Sequence, residues 1–258
     1  NGFSAGAAQA APVAAAIVKH TVPCGFAAAD SSRAALVAAL GADPISAFGG
    51  IVAVNAPVDE ASAEVLKPRF LEVIAAPEFS AGALALLKPK KNLRIVTFER
   101  SLPGLLRTTL TLRSALGGVL AERPDPAAAP DEWRVMTSRQ PSPQQWRDLL
   151  FGFGAVRQVK SNAAVVVKNQ TVLGVCGGQT NRVAAVELAC KRAGAAASGA
   201  VLATDGFFPF ADGVDAAIAA GITAVVAPSG SIRDDEIVAA AQRGNIALVF
   251  ASRRYFLH

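Results

Sequence analysis

Lys19 and His20 are the residues whose types and position most directly suggest chemistry. They follow the apolar residues 14–18, which predict a short buried strand, and His20 is one of only two histidines in the chain. A neutral imidazole can accept a proton, and a neighbouring ammonium favours that neutral form while it donates to a developing oxyanion. Such a pair suits acyl transfer. Taken alone, a histidine at a strand end is more often a hydrogen-bonded structural residue, and that interpretation stays open.

A second candidate is the loop of residues 204–212, Thr-Asp-Gly-Phe-Phe-Pro-Phe-Ala-Asp. Three phenylalanines, a proline and two carboxylates in nine residues suit neither an ordinary strand nor an ordinary helix. Residues 199–203 predict a buried strand before the loop, and residues 213–220 predict a helix after it. The loop therefore falls at the carboxyl end of a strand, where open α/β sheets bind ligands. A binding loop and a hydrophobic plug fit its composition about equally.

Several weaker signals lie elsewhere. The run Gly177-Gly178-Gln179 allows a close backbone approach to a ligand, but glycines after a strand are also common in plain turns. Asn162 can orient a reacting group or cap a turn. Ser231, followed three residues later by Asp234, can be a capped helix start.

Strand and helix patterns alternate along the chain and predict an α/β fold. No internal repeat is evident. The prolines and polar residues of 138–143 mark a soft boundary, which divides the chain into residues 1–140 and 141–258. The predicted strands are residues 14–18, 51–54, 70–75, 93–98, 163–168, 171–175, 199–203, 224–227 and 246–250; the predicted helices are 31–40, 60–67, 144–151, 182–192, 213–220 and 234–243.

Composition and charge narrow the classes of function. Of the 258 residues, 52% are hydrophobic, largely through alanine, and no apolar run is long enough to span a bilayer. The net charge of +5 comes from scattered lysines and arginines, and one tyrosine with two tryptophans gives no basic and aromatic stripe. We therefore predict neither membrane nor nucleic-acid binding, and favour a site for phosphorylated or polyanionic small molecules. Three widely spaced cysteines indicate reduced thiols in a cytoplasmic protein.

Seven ordered blocks resemble one known family. They are Lys-His-Thr-Val-Pro-Cys-Gly (19–25), Ser-Ala-Phe-Gly-Gly (46–50), Val-Lys-Ser-Asn (159–162), Gly-Gly-Gln (177–179), Asp-Gly-Phe-Phe-Pro-Phe-Ala-Asp (205–212), Gly-Ser-Ile-Arg-Asp (230–234) and Arg-Tyr-Phe-Leu-His (254–258). The chain resembles the transformylase portion of the bifunctional AICAR transformylase/IMP cyclohydrolase family, from about Ile17 to its last residue. A chance match of that order and length is far less probable than a match to any single motif.

The resemblance implies two cytidine-deaminase-like subdomains, each a three-layer α/β/α unit, at residues 1–140 and 141–258. The family's Arg-Tyr-Gly-x-Asn-Pro-His-Gln segment has no counterpart before Lys19, so we expect the first subdomain to lack its N-terminal part. We expect the cyclohydrolase domain that normally precedes this portion to be absent as well. The resemblance further implies a homodimer whose sites are built from both subunits.

The implied reaction transfers a formyl group from the cosubstrate 10-formyltetrahydrofolate to the 5-amino group of AICAR. It gives formyl-AICAR and tetrahydrofolate in de novo purine (IMP) biosynthesis. By resemblance, His20 takes the proton of the amine, Lys19 stabilises the tetrahedral oxyanion, and Asn162 orients the imidazole or the formyl oxygen.

The resemblance also implies a set of substrate-binding residues. Phe207 and Phe208 would form an apolar wall against a flat heterocycle, and Asp212 would be a polar anchor near the folate or the carboxamide. Arg254 matches an arginine near the nucleotide phosphate, although a terminal arginine is by default a solvated surface residue. The implied set is completed by Gly177, Gly178, Gln179 and Arg182.

A zinc deaminase is the natural rival, because the implied fold is shared and Pro23-Cys24 matches part of its metal motif. That chemistry needs His-x-Glu and Pro-Cys-x-x-Cys, whereas Thr21 and Val22 follow His20 and Ala27 stands where a second cysteine is required. We therefore predict no metal ligand among Cys24, Cys176 and Cys190, and no metal for catalysis. Some family members hold a structural alkali cation, and no residue pattern in this sequence decides that point.

Three residues depart from the family pattern. Ala211 stands where arginine is usual, Asn181 where serine is usual, and Leu257 where histidine or arginine is common. Loss of the arginine could weaken binding of an anionic ligand. A second hypothesis, which the missing N-terminal segment favours, is a non-catalytic nucleotide- or folate-binding module, or an incomplete fragment of the bifunctional enzyme. Retention of Lys19, His20 and Asn162 favours the enzyme.

Overall fold

The computed structural model describes residues 12–99, 109–123, 125 and 130–258. Its strands are β1 (Val13–Lys19), β2 (Val22–Ala29), β3 (Gly50–Val54), β4 (Leu71–Ala76), β5 (Arg94–Thr97), β6 (Thr111–Ala115), β7 (Gly118–Glu122), β8 (Arg134–Val135), β9 (Ala164–Lys168), β10 (Thr171–Cys176), β11 (Val201–Thr204), β12 (Ala224–Pro228) and β13 (Ala247–Ala251). Its α-helices are α1 (Ser32–Ala42), α2 (Glu60–Leu66), α3 (Ala81–Leu87), α4 (Pro143–Val156), α5 (Arg182–Ala193), α6 (Asp212–Ala219) and α7 (Asp234–Arg243).

Eleven strands form one mixed sheet in the order β5-β4-β3-β1-β2-β10-β9-β11-β12-β13-β8. Each half of the sheet begins with an antiparallel hairpin, β1–β2 or β9–β10. The first strand of the hairpin pairs antiparallel with β3 or β11, from which two further parallel strands extend outward. The two halves therefore share one strand order, and β8 is added at the outer edge of the second half.

The repeat extends to single side chains. Lys19 and Lys168 each end the first strand of a hairpin, and their Nζ atoms donate to the carbonyl oxygens of Phe48 at 2.7 Å and Ser198 at 2.9 Å. Asn55 Oδ1 accepts from the Ala14 amide at 2.7 Å. In the second half Asp205 Oδ1 accepts from the Ala163 amide at 2.9 Å. The structure thus shows an internal repeat that is not evident in the sequence.

Helices cover both faces of the second half of the sheet. Alternate residues of its strands pack with α5, α6 and α7 in one core, represented by Val166, Leu202 and Ile237. The residues between them pack with α4 in another core, which includes Leu149 and Phe153. This is the three-layer α/β/α arrangement that we predicted. The assignment of each half to the cytidine-deaminase-like fold, and the boundary at residue 140, stay predictions.

Among the described residues, the fully buried core of the first half lies on one face of its sheet. Helices α1, α2 and α3 pack on inward residues of β1, β3 and β4 such as Ile17, Val52 and Ile74. Residues that point to the opposite face are less buried, and Ile51 is 45% exposed. The described part of the chain therefore leaves this sheet face partly uncovered.

Most predicted strands and helices are confirmed to within a few residues. Their apolar patterns correspond to buried strands or to helices with one buried face. The patterns did not predict β2, α3, the short β8 or the separate hairpin β6–β7. Pro23 and Gly25 interrupt the apolar pattern of β2, and the hairpin has no buried face, since its residues are all exposed. No helix of the described residues is long and apolar enough to cross a membrane.

Two repeated glycines set how closely the helices pack on the sheet. A Cβ atom on Gly25 would lie 2.2 Å from the carbonyl oxygen of Ala39 in α1, and one on Gly174 would lie 2.1 Å from that of Ala189 in α5. We expect Gly25→Ala and Gly174→Ala each to lower the free energy of unfolding by about 1–3 kcal/mol, because backbone must move to admit the methyl group.

Gly154 in α4 is the matched control, since a Cβ there meets nothing within 4 Å. Gly154→Ala should raise stability by up to about 1 kcal/mol through helix propensity. Urea unfolding of the three variants checks this, and equal effects at all three positions would contradict the packing argument.

Candidate active site

A cavity of about 690 Å³ lies where the two halves of the sheet separate. Strands β2 and β10 pair at Thr171 and Ala27, and the Ala28 amide donates to the Gln170 carbonyl at 2.9 Å. Because the strands run antiparallel, the other end of β2 lies towards the end of β10, and the cavity lies between these ends. It is lined from the first half by Lys19, His20, Cys24 and Asp43 and from the second by Lys160, Gly177, Gly178 and Arg192.

Lys19 and His20 lie at the tip of the β1–β2 hairpin. Lys19 pairs with Val22, so His20 and Thr21 form a two-residue turn, and their φ angles of 52° and 63° are left-handed. Two-residue hairpins favour such turns because their twist matches that of the strands. The turn leaves the His20 side chain exposed at the cavity, while Lys19 is anchored to the Phe48 carbonyl. The predicted acyl-transfer pair therefore shares one cavity.

Asn162 lines a second, smaller cavity of about 320 Å³ together with Ser161, Gln179, Phe256 and His258. Its Nδ2 donates to the Gln179 carbonyl at 2.9 Å, and the two backbones exchange hydrogen bonds at 3.2 and 3.3 Å. The amide oxygen Oδ1 has no hydrogen-bond partner among the described residues. Asn162 is thus held in place by one end of its amide, while the other end can accept from a ligand.

A buried ion pair lies beside Asn162. Arg182 and Asp205 are 5% and 0% exposed, and Arg182 Nη1 donates both to the carboxylate and to the Ala163 carbonyl, the latter at 2.9 Å. The same carboxylate accepts from the Ser161 hydroxyl, next to Asn162. The Tyr255 amide donates to the Asp205 carbonyl at 2.9 Å, which joins the C-terminal segment to this network. The pair therefore fixes the walls of the second cavity.

In the loop after β11, Phe208 does not lie where the sequence predicted. Phe208 is 1% exposed and packs in the core with α6, so it is not a wall against a ligand, which corrects that prediction. Gly213 leaves room for its ring, since a Cβ there would lie 2.7 Å from ring carbons of Phe208. Phe207 is partly exposed, and the Arg254 guanidinium lies 4.6 Å from its ring centre. Of the two phenylalanines predicted to form an apolar wall, only Phe207 is available for it.

The remaining predicted residues are divided between these places. Gly177 and Gly178 line the first cavity, and Gln179 the second. Asp212 is exposed at the start of α6, where its Oδ1 accepts from the Gly213 amide at 2.7 Å. Arg182 lines neither cavity. Sequence reasoning did not name Lys160, Arg192 and His258 as cavity residues, although Lys160 and His258 both stand inside matched blocks.

Gly177 is required by close packing between the two cavities. A Cβ there would lie 2.4 Å from a side-chain carbon of Val159 and 2.7 Å from the Lys160 carbonyl oxygen. The Gly178 amide donates to that same carbonyl at 2.7 Å. The Gly-Gly-Gln run is thus more than a plain turn, because it lies directly against the segment that carries Lys160 and Asn162.

Two of the local signals now have structural explanations. Asn181 is the N-cap of α5 and accepts from the Ala184 amide at 2.8 Å; asparagine caps as well as serine, so this departure preserves the local structure. The predicted start of α7 is confirmed. The acceptor there is Asp234, because its carboxylate accepts hydrogen bonds from the Gly230 and Ser231 amides. Ser231 in turn accepts from the Arg233 amide.

The three cysteines are free thiols. Burial raises the pKa of Cys190 to about 11 and also raises the pKa of Cys176. Burial, followed by the nearby Asp43 carboxylate, raises the pKa of Cys24. All three are therefore protonated and weakly nucleophilic at neutral pH. Within the described ranges, no cluster of three or more histidine, cysteine or acidic side chains could hold a metal ion.

The fold and the two cavities define a class: an α/β protein with polar groups for a small-molecule reaction beside its strand ends. The family model described as AICARFT/IMPCHase bienzyme matches residues 3–192. Bifunctional purine biosynthesis protein PurH of Desulfitobacterium hafniense is 47% identical over 246 residues, 95% of this chain and 47% of that protein. The PurH proteins of Synechococcus elongatus and Chloroflexus aurantiacus are 46% and 47% identical over 96% and 98% of this chain, and 48% and 49% of their own lengths.

The chain belongs to the AICARFT/IMPCHase bienzyme family. The resemblance to the AICAR transformylase portion, inferred from the seven sequence blocks, is thereby confirmed. The chain spans about half the length of these PurH relatives.

The buried ion pair gives a testable consequence. We expect Arg182→Met to lower the free energy of unfolding by about 3–5 kcal/mol, because it leaves the Asp205 carboxylate buried without its cation. Arg233→Met is the control: this arginine is 50% exposed, and its pair with Glu236 at 3.3 Å should contribute at most about 1 kcal/mol. Chemical denaturation measures both values, and a small effect at Arg182 would show that the pair does not stabilise the site.

Proposed function

We propose that this chain transfers a formyl group from 10-formyltetrahydrofolate to the 5-amino group of AICAR, in the purine-biosynthesis pathway after which its relatives are named. The observation that carries the proposal is the Lys19–His20 pair at the tip of a hairpin turn, where His20 is exposed and both residues line a cavity of about 690 Å³. That volume is in the range of small-molecule sites. The family match supports the same assignment.

The chemistry assigns a separate task to each side chain. The amine of AICAR is a weak nucleophile, because its lone pair is delocalised into the ring and the carboxamide. His20 takes the proton of the amine as it attacks the formyl carbon, and Lys19 stabilises the oxyanion that forms. The formyl-nitrogen bond of the folate then breaks, and that nitrogen needs a proton, which the imidazolium can return. No metal is required for these steps.

Asn162 and Phe207 belong to the binding part of the proposal. The free Oδ1 of Asn162 can accept a hydrogen bond from an N–H of the His20 imidazole or of the AICAR carboxamide. Phe207 offers a face to a flat heterocycle, with the Arg254 guanidinium beside it for a phosphate. Asn162 lines a different cavity from His20. Asn162 of one protomer and His20 of the other can therefore complete one site if the two protomers face each other.

A homodimer is the assembly we propose, and two surfaces support it. In the hairpin β6–β7, Leu112, Val119 and Leu120 are each about 64–65% exposed. A lone two-stranded hairpin is at best marginally stable in water, so it needs a surface to pack on. The partly uncovered sheet face of the first half, around Ile51, offers an apolar surface of that kind to a partner. Fusion to a cyclohydrolase domain, as the family description indicates, is a further part of the proposal.

The activity test uses the internal repeat as its control. Formyl transfer should fall about 10²–10⁴-fold in His20→Asn, since the general base is lost. Asparagine suits left-handed φ, and the equivalent turn in the second half has Asn169 at φ 52°, so the fold should be kept.

Lys19→Met should lose activity as well, whereas Lys168→Met, which removes an equivalent lysine anchored in the same way, should keep it. Turnover that is unchanged in His20→Asn would show that the base has been named wrongly. A folded chain that binds AICAR but shows no turnover would favour the alternative, a non-catalytic nucleotide- or folate-binding module.

The dimer is tested by placing charge on the exposed hairpin. Leu112→Asp should shift the protein from dimer to monomer in sedimentation measurements, because a buried carboxylate in the interface has no partner. Leu188→Asp places the same charge on the outer face of α5, where Leu188 is 37% exposed, and serves as the control. A wild-type chain that is monomeric at all concentrations would rule out the proposed assembly.

A further inference from the structure

The second-half wall of the larger cavity carries two cations that the proposed chemistry does not use. Lys160 and Arg192 both line the cavity, and both side chains are exposed. Neither forms an ion pair within the described ranges. The one carboxylate that lines the cavity is Asp43, whose Oδ1 accepts from the Ser46 amide at 2.9 Å. With Lys19, three cations therefore face one acid.

The backbone holds Lys160 in a fixed position. Its carbonyl accepts from Gly178, its peptide neighbour Ser161 donates to the Leu257 carbonyl at 2.9 Å, and Val159 before it is fully buried. Only the side chain of Lys160 is free, and no hydrogen bond restrains its ammonium group among the described residues. The backbone position of Lys160 is therefore set before any ligand arrives, and its unrestrained ammonium group can reach a ligand in the cavity.

Arg192 is held at one end and open at the other. Its Nη1 donates to the Val175 carbonyl at the end of β10, and Val175 also lines the cavity. The remaining N–H groups of the guanidinium keep the planar fork that matches oxyanions. Its charge also acts locally, because it opposes the effect of burial on the pKa of Cys176. Arg192 is thus a donor anchored at one end on the same wall as Lys160.

We propose that Lys160 and Arg192 form an anion subsite for a doubly charged oxyanion on the far end of a cosubstrate whose reacting end lies at Lys19 and His20. A cavity of about 690 Å³ holds a ligand of nucleotide size. The two sources of such an anion are the glutamate carboxylates of a folate and a ribonucleotide phosphate, the second of which would replace the contact with Arg254 proposed above. The choice between these sources rests on the proposed function, whereas the anion subsite itself does not.

The first measurement is binding of inorganic pyrophosphate to the full chain, by calorimetry and by protection of Cys24 from a thiol reagent. Cys24 is the partly exposed cysteine and lines this cavity, whereas Cys176 and Cys190 are buried. Lys160→Gln should weaken pyrophosphate binding about tenfold, as expected for loss of one charge-assisted contact. Lys160→Arg should restore most of it.

Lys191→Gln is the matched control, because Lys191 neighbours Arg192 on α5, is exposed and does not line the cavity. Equal weakening by Lys160→Gln and Lys191→Gln, or no weakening by either, would overturn the subsite. Pyrophosphate binding that leaves Cys24 unprotected would overturn it too, because the anion would then be elsewhere.

The source of the anion is then found with pairs of ligands. If Lys160→Gln weakens binding of AICAR and not of its dephosphorylated nucleoside, the subsite takes the phosphate. If it weakens triglutamyl folate more than monoglutamyl folate, the subsite takes the carboxylates. Lys160-dependent pyrophosphate binding without any formyl transfer would leave the subsite standing and reject the proposed function. Normal formyl transfer together with pyrophosphate binding that does not depend on Lys160 would support the proposed function and reject the subsite.

Discussion

The contact between the Ala28 amide and the Gln170 carbonyl is the constraint on which the site depends, because it joins two half-sheets into one. Gln170 is held for this contact by Asp148 in α4, whose carboxylate accepts from the Asn169 and Gln170 amides at 3.0 and 2.6 Å. A buried carboxylate that receives backbone amides fixes a left-handed turn without a glycine. Beyond this contact β2 and β10 separate, and the larger cavity lies in the opening.

The two halves use one polar position in different ways. Asn55 and Asp205 both follow the third strand of their half, and each accepts from a backbone amide at or next to the start of the first strand. Only Asp205 is fully buried, and only its carboxylate has a guanidinium partner, Arg182. A buried charge is tolerated when it is paired and hydrogen-bonded. The second half therefore has a rigid network beneath Asn162 and the C-terminal segment, whereas the first half has an amide near the surface.

Much of the fold could be predicted from the sequence, since strands such as β9, β11 and β12 are continuous apolar runs. Alternation predicted the α/β class, and the family resemblance implied the three layers. The hairpin β1–β2 could not be predicted, because Pro23 and Gly25 conceal a strand whose register also shifts next to Ile17. For the site, Lys19, His20 and Asn162 were found by residue type and by family blocks. The burial of Phe208 and the ion pair of Arg182 were not found, because both depend on contacts between segments far apart in the chain.

The comparison of the two hairpin turns shows how one half can carry chemistry without a change of fold. His20 and Thr21 have φ angles of 52° and 63°, and Asn169 and Gln170 have 52° and 51°. Both turns follow a lysine anchored to a carbonyl, so backbone and cation are already in place in each half. Asparagine adopts left-handed φ more readily than most residues, and histidine is also enriched there. Replacing an amide by an imidazole at this one position therefore adds a proton acceptor at little structural cost. The turn of the first half faces the opening between the half-sheets, whereas that of the second half lies at the junction, where Asp148 and Ala28 already use its backbone.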